Sequence, residues 1–256
     1  SHCNLGRIHN RFDCIKNTIV ATNFTKKIQR HGFEVVIFNG GIISYGVAQE
    51  FLKLSRDVLA LKPDIVLSLS GVNDVNLRTS YPEHPMIHIY QDLLLKHIVK
   101  KENFFCAGVN TTINGVDYGI KENNEDYLHW IKCIRMMHAV TSEFNIDFLA
   151  FLQPMLGLGT YKLNEKEKNM LEQPNLEAEC RYGLHKSLVS GIDKFYKNAQ
   201  KEASSYEYII DIGQSFDGMS NLYTDLSHVD EKGNDIIAQV IFDELCKRGM
   251  LEKKGS

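Results

Sequence analysis

Asp64-Ile65-Val66-Leu67-Ser68-Leu69-Ser70-Gly71-Val72-Asn73-Asp74 begins as a short, mostly apolar run and ends in a polar turn. A run of this kind, with Pro63 before it and Gly71 after it, reads as a strand buried on both faces, as parallel sheets require. The pattern recurs outward from this stretch. Phe33-Glu34-Val35-Val36-Ile37-Phe38 ends in Asn39-Gly40-Gly41, Ile146 to Leu152 ends in Gln153-Pro154, and Tyr206 to Asp211 leads towards Tyr223–Gly233. Between these runs the apolar residues fall at helical spacing. Ile15, Ile19, Val20, Phe24 and Ile28 share a face, and Gly32 stands where a helix C-cap belongs. Residues 47–61, 125–144 and 164–203 are read as helical, and the last helix carries Ile236, Ile237, Val240, Ile241 and Leu245.

Strand and helix in alternation predict an α/β fold, an open parallel sheet with helices on both faces. Ligands bind such sheets beyond the carboxyl ends of the strands. The polar clusters Asn39–Gly41, Gly71–Asp74, Gln153-Pro154 and Asp225/His228 all fall at that edge. Residues 1–256 read as one domain. The pattern loosens at about 75–124, which is expected to be an insertion or lid over one end of the sheet.

Composition narrows the function. The chain has 29 basic and 32 acidic residues, a formal net charge of −3, and 43% hydrophobic residues. Such a balance provides a core but no concentrated basic surface, which argues against a nucleic-acid partner. No apolar run of about 18 residues exists, so no membrane span is expected. Cys3, Cys14, Cys106, Cys133, Cys180 and Cys246 are scattered, without Cys-x-x-Cys pairs or neighbouring histidines at metal-ligand spacing. They read as reduced thiols in a cytoplasmic protein, with no metal.

Asp225 stands three residues before His228, so its carboxylate can fix the imidazole tautomer and leave the other ring nitrogen to move protons. Together with Gly41 and Gly71-Val72-Asn73-Asp74, the Asp225-Leu226-Ser227-His228 turn resembles the SGNH (GDSL-type) hydrolases, a family of esterases, lipases and carbohydrate O-deacetylases. Gly41 is similar to the second-block glycine, Gly71–Asp74 to the third-block Gly-x-Asn-Asp, and Asp225–His228 to the fifth-block Asp-x-x-His. The resemblance implies a flavodoxin-like SGNH hydrolase fold and serine-dependent hydrolysis or transfer of a small acyl group. The substrate would be a small-molecule or carbohydrate ester, preferably an O-acetylated carbohydrate, and no cofactor is implied.

The resemblance also implies roles. His228 would be the general base, oriented by Asp225. The Gly41 N–H, the Asn73 amide and the nucleophile's own N–H would form the oxyanion hole, each donor contributing about 3 kcal/mol, and Asp74 would brace the loop. The family's first strand ends at its serine, whereas this chain opens Ser1-His2-Cys3-Asn4-Leu5-Gly6 with no apolar strand before it. Ser1, about 40 residues before Gly41, is assigned as nucleophile and third oxyanion donor. The alternative is a catalytically silent relative that lacks the first block and binds a glycan or protein in the same crevice. A nucleotide-binding domain is a third reading, with neither Gly-x-Gly-x-x-Gly nor a Walker-type loop to support it.

Overall fold

A computed structural model of the chain describes residues 10–13, 18–33, 35–42, 45–75, 112–113, 116–117, 126–172, 189 and 192–251. Its main sheet has five parallel strands: β1 (Asn10–Asp13), β2 (Val35–Phe38), β3 (Ile65–Ser70), β6 (Asp147–Leu152) and β7 (Ile209–Asp211). Their spatial order is β2-β1-β3-β6-β7. The order reverses between β1 and β3, which places a topological switch point in the sheet.

The apolar runs behave as their sequences dictate. All six residues of β3 are buried, as are the last five of β6, because each strand has a neighbour on both sides and helices above and below. β2 departs from the expectation of burial on both faces. It lies at the sheet edge and alternates between half-buried and exposed, with Val36 43% and Phe38 37% accessible. Its composition suits either environment; its position in the strand order decides between them.

β1 corrects a second expectation. In the sequence, the helical face that begins at Ile15 has no apolar run ahead of it to mark a strand. Instead Asn10-Arg11-Phe12-Asp13 pairs with β2 through Asn10↔Val35 to Asp13↔Phe38, and with β3 through Phe12↔Ile65 and Asp13↔Val66. The strand escapes an apolar pattern because three of its four residues are polar. Ser1 lies outside the described residues, nine positions upstream of β1.

Helix α1 (Thr18–Arg30) connects β1 to β2 and ends ahead of Gly32 at φ +83°. Helix α2 (Val47–Lys53) continues through a π turn (Leu54–Val58) and a 3-10 turn (Leu59–Leu61) before β3. Helix α3 (Asp126–Glu143) leads to β6. Helix α4 (Glu165–Glu172), a π turn (Ile192–Tyr196) and α5 (Lys197–Ala203) precede β7, and α6 (Glu231–Lys247) closes the described chain. α1 packs on α6, while α3 packs on both α2 and α5. With right-handed crossovers, these two groups cover opposite faces of the sheet.

Between them lies a core in which Phe24, Ile28, Trp130, Ile134, Leu149 and Phe151 are fully buried. Two hydrogen bonds between polar side chains lie inside it. Trp130 Nε1 donates to Ser70 Oγ at 2.9 Å, and Ser68 Oγ donates to Glu50 Oε2 at 2.8 Å. Within the expected lid, the structure describes only a two-stranded antiparallel pair, β4 (Thr112–Ile113) and β5 (Val116–Asp117). Apart from Val75, the rest of that stretch lies outside the described residues. No described helix is long and apolar enough to cross a membrane, and the described cysteines, Cys133 and Cys246, are both free thiols.

Candidate active site

Because all five strands of the main sheet are parallel, the loops after β2, β3 and β6 open at one edge, and the side chains at that edge tie them together. The Asn73 amide, just past β3, donates to the Tyr45 carbonyl of the β2–α2 loop at 2.9 Å. Buried Asp74 accepts the Val47 N–H through Oδ1 at 2.8 Å and so caps the start of α2. Bracing was the role expected of Asp74, and the geometry shows how a buried carboxylate carries it out. On the other side of β3, the Gln153 N–H donates to the Ser70 carbonyl at 2.9 Å, and Gln153 Nε2 donates to the Ser227 carbonyl at 3.2 Å. The rim therefore runs without a break from Tyr45 through Asn73 and Gln153 to the Asp225–His228 turn.

That turn is built by its own carboxylate. Asp225 Oδ1 accepts the N–H groups of Ser227 and His228, both at 2.8 Å, which folds the chain back so that Oδ2 meets His228 Nδ1 at 2.8 Å. The Thr224 N–H donates to the His228 carbonyl at 2.8 Å, and Tyr223 bridges to Val229, closing the loop. With Nδ1–H donating to Asp225, His228 Nε2 carries the lone pair. Its side chain is 69% accessible, so this nitrogen is open to solvent and substrate.

The electrostatics suit a base. The bond to Asp225 raises the His228 pKa above that of an ordinary imidazole, against an opposing effect of burial. Burial pushes Asp225 up, but the bonds from His228 and Ser227 outweigh it and hold the carboxyl below its ordinary value. A base must be neutral to accept a proton, so the acid limb of kcat/KM should lie above pH 6.5. Asp225→Asn removes the stabilised imidazolium, so that limb should move to lower pH while the maximal rate falls. A pH–rate profile of both proteins checks this, and an unmoved limb would show that Asp225 does not set the pKa of the base.

Of the three expected oxyanion donors, Gly41 and Asn73 are engaged inside the protein. The Gly41 N–H donates to Asn39 Oδ1 at 3.0 Å, and Asn73 uses one amide hydrogen on Tyr45. An amide has two hydrogens, so Asn73 can hold Tyr45 and still present a donor. Gly41 has a single N–H, and its use on an oxyanion requires the Asn39 side chain to release it.

Sequence reasoning missed Tyr161 and Glu167, which support the segment entering the Asp225–His228 turn. The Asn164-x-x-Glu167 spacing is a capping-box signal for the start of α4. Asn164 Oδ1 accepts the Glu167 N–H at 2.8 Å and Glu167 Oε2 accepts the Asn164 N–H at 3.0 Å.

Order of strands, helices on both faces and motif loops at one edge define the SGNH hydrolase fold. Two structures of an acetylxylan (or acetyl-xylooligosaccharide) esterase from Geobacillus share it. A catalytic mutant superposes with TM-score 0.53 at 13% identity, covering 92% of each chain; a second mutant gives 0.52 at 14%, also covering 92% of each. A GDSL-like lipase from Bacteroides thetaiotaomicron reaches 0.49 at 14% identity, covering 93% of this chain and 86% of its own. No family model matches the sequence, and no curated protein matches it either. The similarity drawn from the motifs therefore holds at the level of fold.

Proposed function

We propose that the chain is an ester hydrolase or acyl transferase in which a nucleophile attacks the carbonyl carbon of a small acyl ester. His228 Nε2 takes the nucleophile's proton as the bond to carbon forms. The negative charge passes to the carbonyl oxygen, where the Gly41 N–H, the second hydrogen of Asn73 and the nucleophile's own N–H stabilise it. Collapse expels the alcohol oxygen, which recovers the proton from Nε2. Water, or an acceptor alcohol, then repeats the sequence on the acyl intermediate. The observation that carries this reading is the 2.8 Å Asp225–His228 bond with Nε2 exposed at the carboxyl edge of the sheet.

Ser1 is the proposed serine. The position of β1 favours a second reading, because that strand reaches the same edge at Asp13 and the next residue in sequence is Cys14. O-acetylated sugars are the preferred substrate class, and the acetylated xylan named for the fold neighbours provides the first natural substrate to assay. The test is turnover of p-nitrophenyl acetate and acetylated xylo-oligosaccharide, with mass mapping of fluorophosphonate and trapped-acetyl adducts in the parent protein and in His228→Ala. A His228-dependent adduct on Ser1 supports the serine reading. An adduct on Cys14 replaces serine with a thiol in the same scheme. Neither turnover nor adduct would leave the silent, ligand-binding alternative.

A further inference from the structure

Three successive backbone N–H groups immediately before the catalytic turn converge on a single side-chain pair, buried Glu167 and half-buried Tyr161. The Asn221 N–H points at Glu167 Oε2 at 3.4 Å, the Leu222 N–H at the Tyr161 hydroxyl oxygen at 2.7 Å, and the Tyr223 N–H at Glu167 Oε1 at 3.3 Å. Tyr161 in turn donates its hydroxyl proton to Glu167 Oε1 at 2.5 Å. Glu167 is fully buried. A carboxylate there is costly unless its oxygens are satisfied. It is satisfied by the Tyr161 hydroxyl and by backbone N–H groups, and it lies in the first turn of α4, where the helix dipole favours negative charge.

The receiving segment is an unusual one. Asn221 adopts φ +59°, and its side-chain oxygen accepts a hydrogen bond from Asn164 Nδ2 at 3.0 Å. Consecutive N–H groups in such a conformation form a concavity for an anion, here filled by the protein's own glutamate. The same residues form the stem of the catalytic turn. The Leu222 carbonyl accepts the Asp230 N–H at 2.7 Å, and Tyr223 bridges to Val229. The Tyr223 ring packs edge-on against Tyr161 at 5.2 Å and Phe216 at 5.7 Å. Asp225 and His228 thus sit on a loop whose incoming segment is held by a carboxylate more than fifty residues earlier in the chain.

We propose that Glu167, acting with Tyr161, is a positioning residue for the Asp225–His228 pair: it fixes the backbone of residues 221–223 and through it the register of carboxylate and imidazole. The catalytic consequence rests on the acyl-transfer reading; the positional one does not. The ionisation of both groups agrees with a charged clamp. Burial pushes Glu167 up, but the bonds from Tyr161, Asn164, Tyr223 and Asn221 hold it below its ordinary value. Burial and the bond to Glu167 raise Tyr161 to about 12.

The experiment compares the parent protein with Glu167→Gln and Tyr161→Phe. Gln keeps the volume but turns an NH2 towards groups that are themselves donors. Phe leaves the carboxylate in place and removes the acceptor for the Leu222 N–H. Three readouts are taken: thermal stability, kcat and KM on p-nitrophenyl acetate, and the His228 imidazole titration by NMR. Among the described residues, the Asp225 carboxylate and the Ser227 hydroxyl face that ring, both at Nδ1. The expected result for Glu167→Gln is a His228 pKa shifted down from the parent value, with kcat lowered about 10–100-fold and KM within about twofold. Tyr161→Phe should shift the titration in the same direction by less.

A folded variant that loses thermal stability while His228 titrates as in the parent and kcat holds would overturn the proposal, leaving Glu167 as a stability element only. Should Glu167→Gln fail to fold, Tyr161→Phe decides, and an unmoved titration there overturns it equally. If the parent turns over no ester while the titration still moves, the acyl-transfer reading fails and the clamp stands.

Discussion

Replacing His228 by alanine is expected to lower ester turnover by about 10²–10⁴-fold, the range that a positioned general base contributes. The change should leave folding nearly untouched, because the imidazole is 69% accessible and its main partner, Asp225, is held independently through Oδ1 by the Ser227 and His228 backbone N–H groups. The alanine variant should therefore melt close to the parent temperature, which separates a chemical loss from a structural one. Steady-state kinetics on p-nitrophenyl acetate and a thermal melt provide both numbers. A folded His228→Ala protein with parental turnover would show that the Asp225–His228 turn is not the proton-transfer device, whatever the fold.

Gly71→Ala should have the largest effect on stability, about 2–4 kcal/mol, or roughly 5–15 °C in Tm for a chain of this size. Two costs coincide there. Gly71 has φ +131°, a conformation that side chains resist, and an added Cβ would lie 2.8 Å from Leu152 Cδ1 and 3.5 Å from the Tyr196 hydroxyl. Leu152 and Tyr196 are fully buried, so neither can move without disturbing the core. Gly32 provides the internal comparison: it has φ +83° but nothing within 4 Å of its would-be Cβ. Gly32→Ala should cost only the backbone strain, about 1 kcal/mol. Equal losses at the two positions would mean that contact with Leu152 and Tyr196 contributes nothing. Activity should fall with Gly71→Ala as well, since Asn73 and Asp74 follow within one turn.

Much of this was legible because it is local. β3 announces itself as a buried strand because both of its faces are covered and its side chains must therefore be apolar or small. Asp225 and His228 are three residues apart, so the turn that joins them is written in the carboxylate that caps it. Gly71-Val72-Asn73-Asp74 names its own turn and its own brace. The Asn164–Glu167 capping box was legible in the same sense, but its two oxygens have a second use that no local rule states.

Sequence alone determined the alternation of strand and helix, the parallel sheet and the carboxylate–imidazole turn, since periodicity, turn chemistry and i,i+3 contacts are short-range. The tertiary structure decided what depends on neighbours distant in the chain. Asn10-Arg11-Phe12-Asp13 becomes an inner strand despite its polarity, because β2 and β3 supply backbone hydrogen-bonding partners on both sides. Val36 and Phe38 stay exposed because β2 ends the sheet. The Gly41 N–H is occupied by Asn39, and Glu167 reaches Tyr223 across 56 residues, because backbone groups in an irregular segment take whichever acceptor the fold brings near.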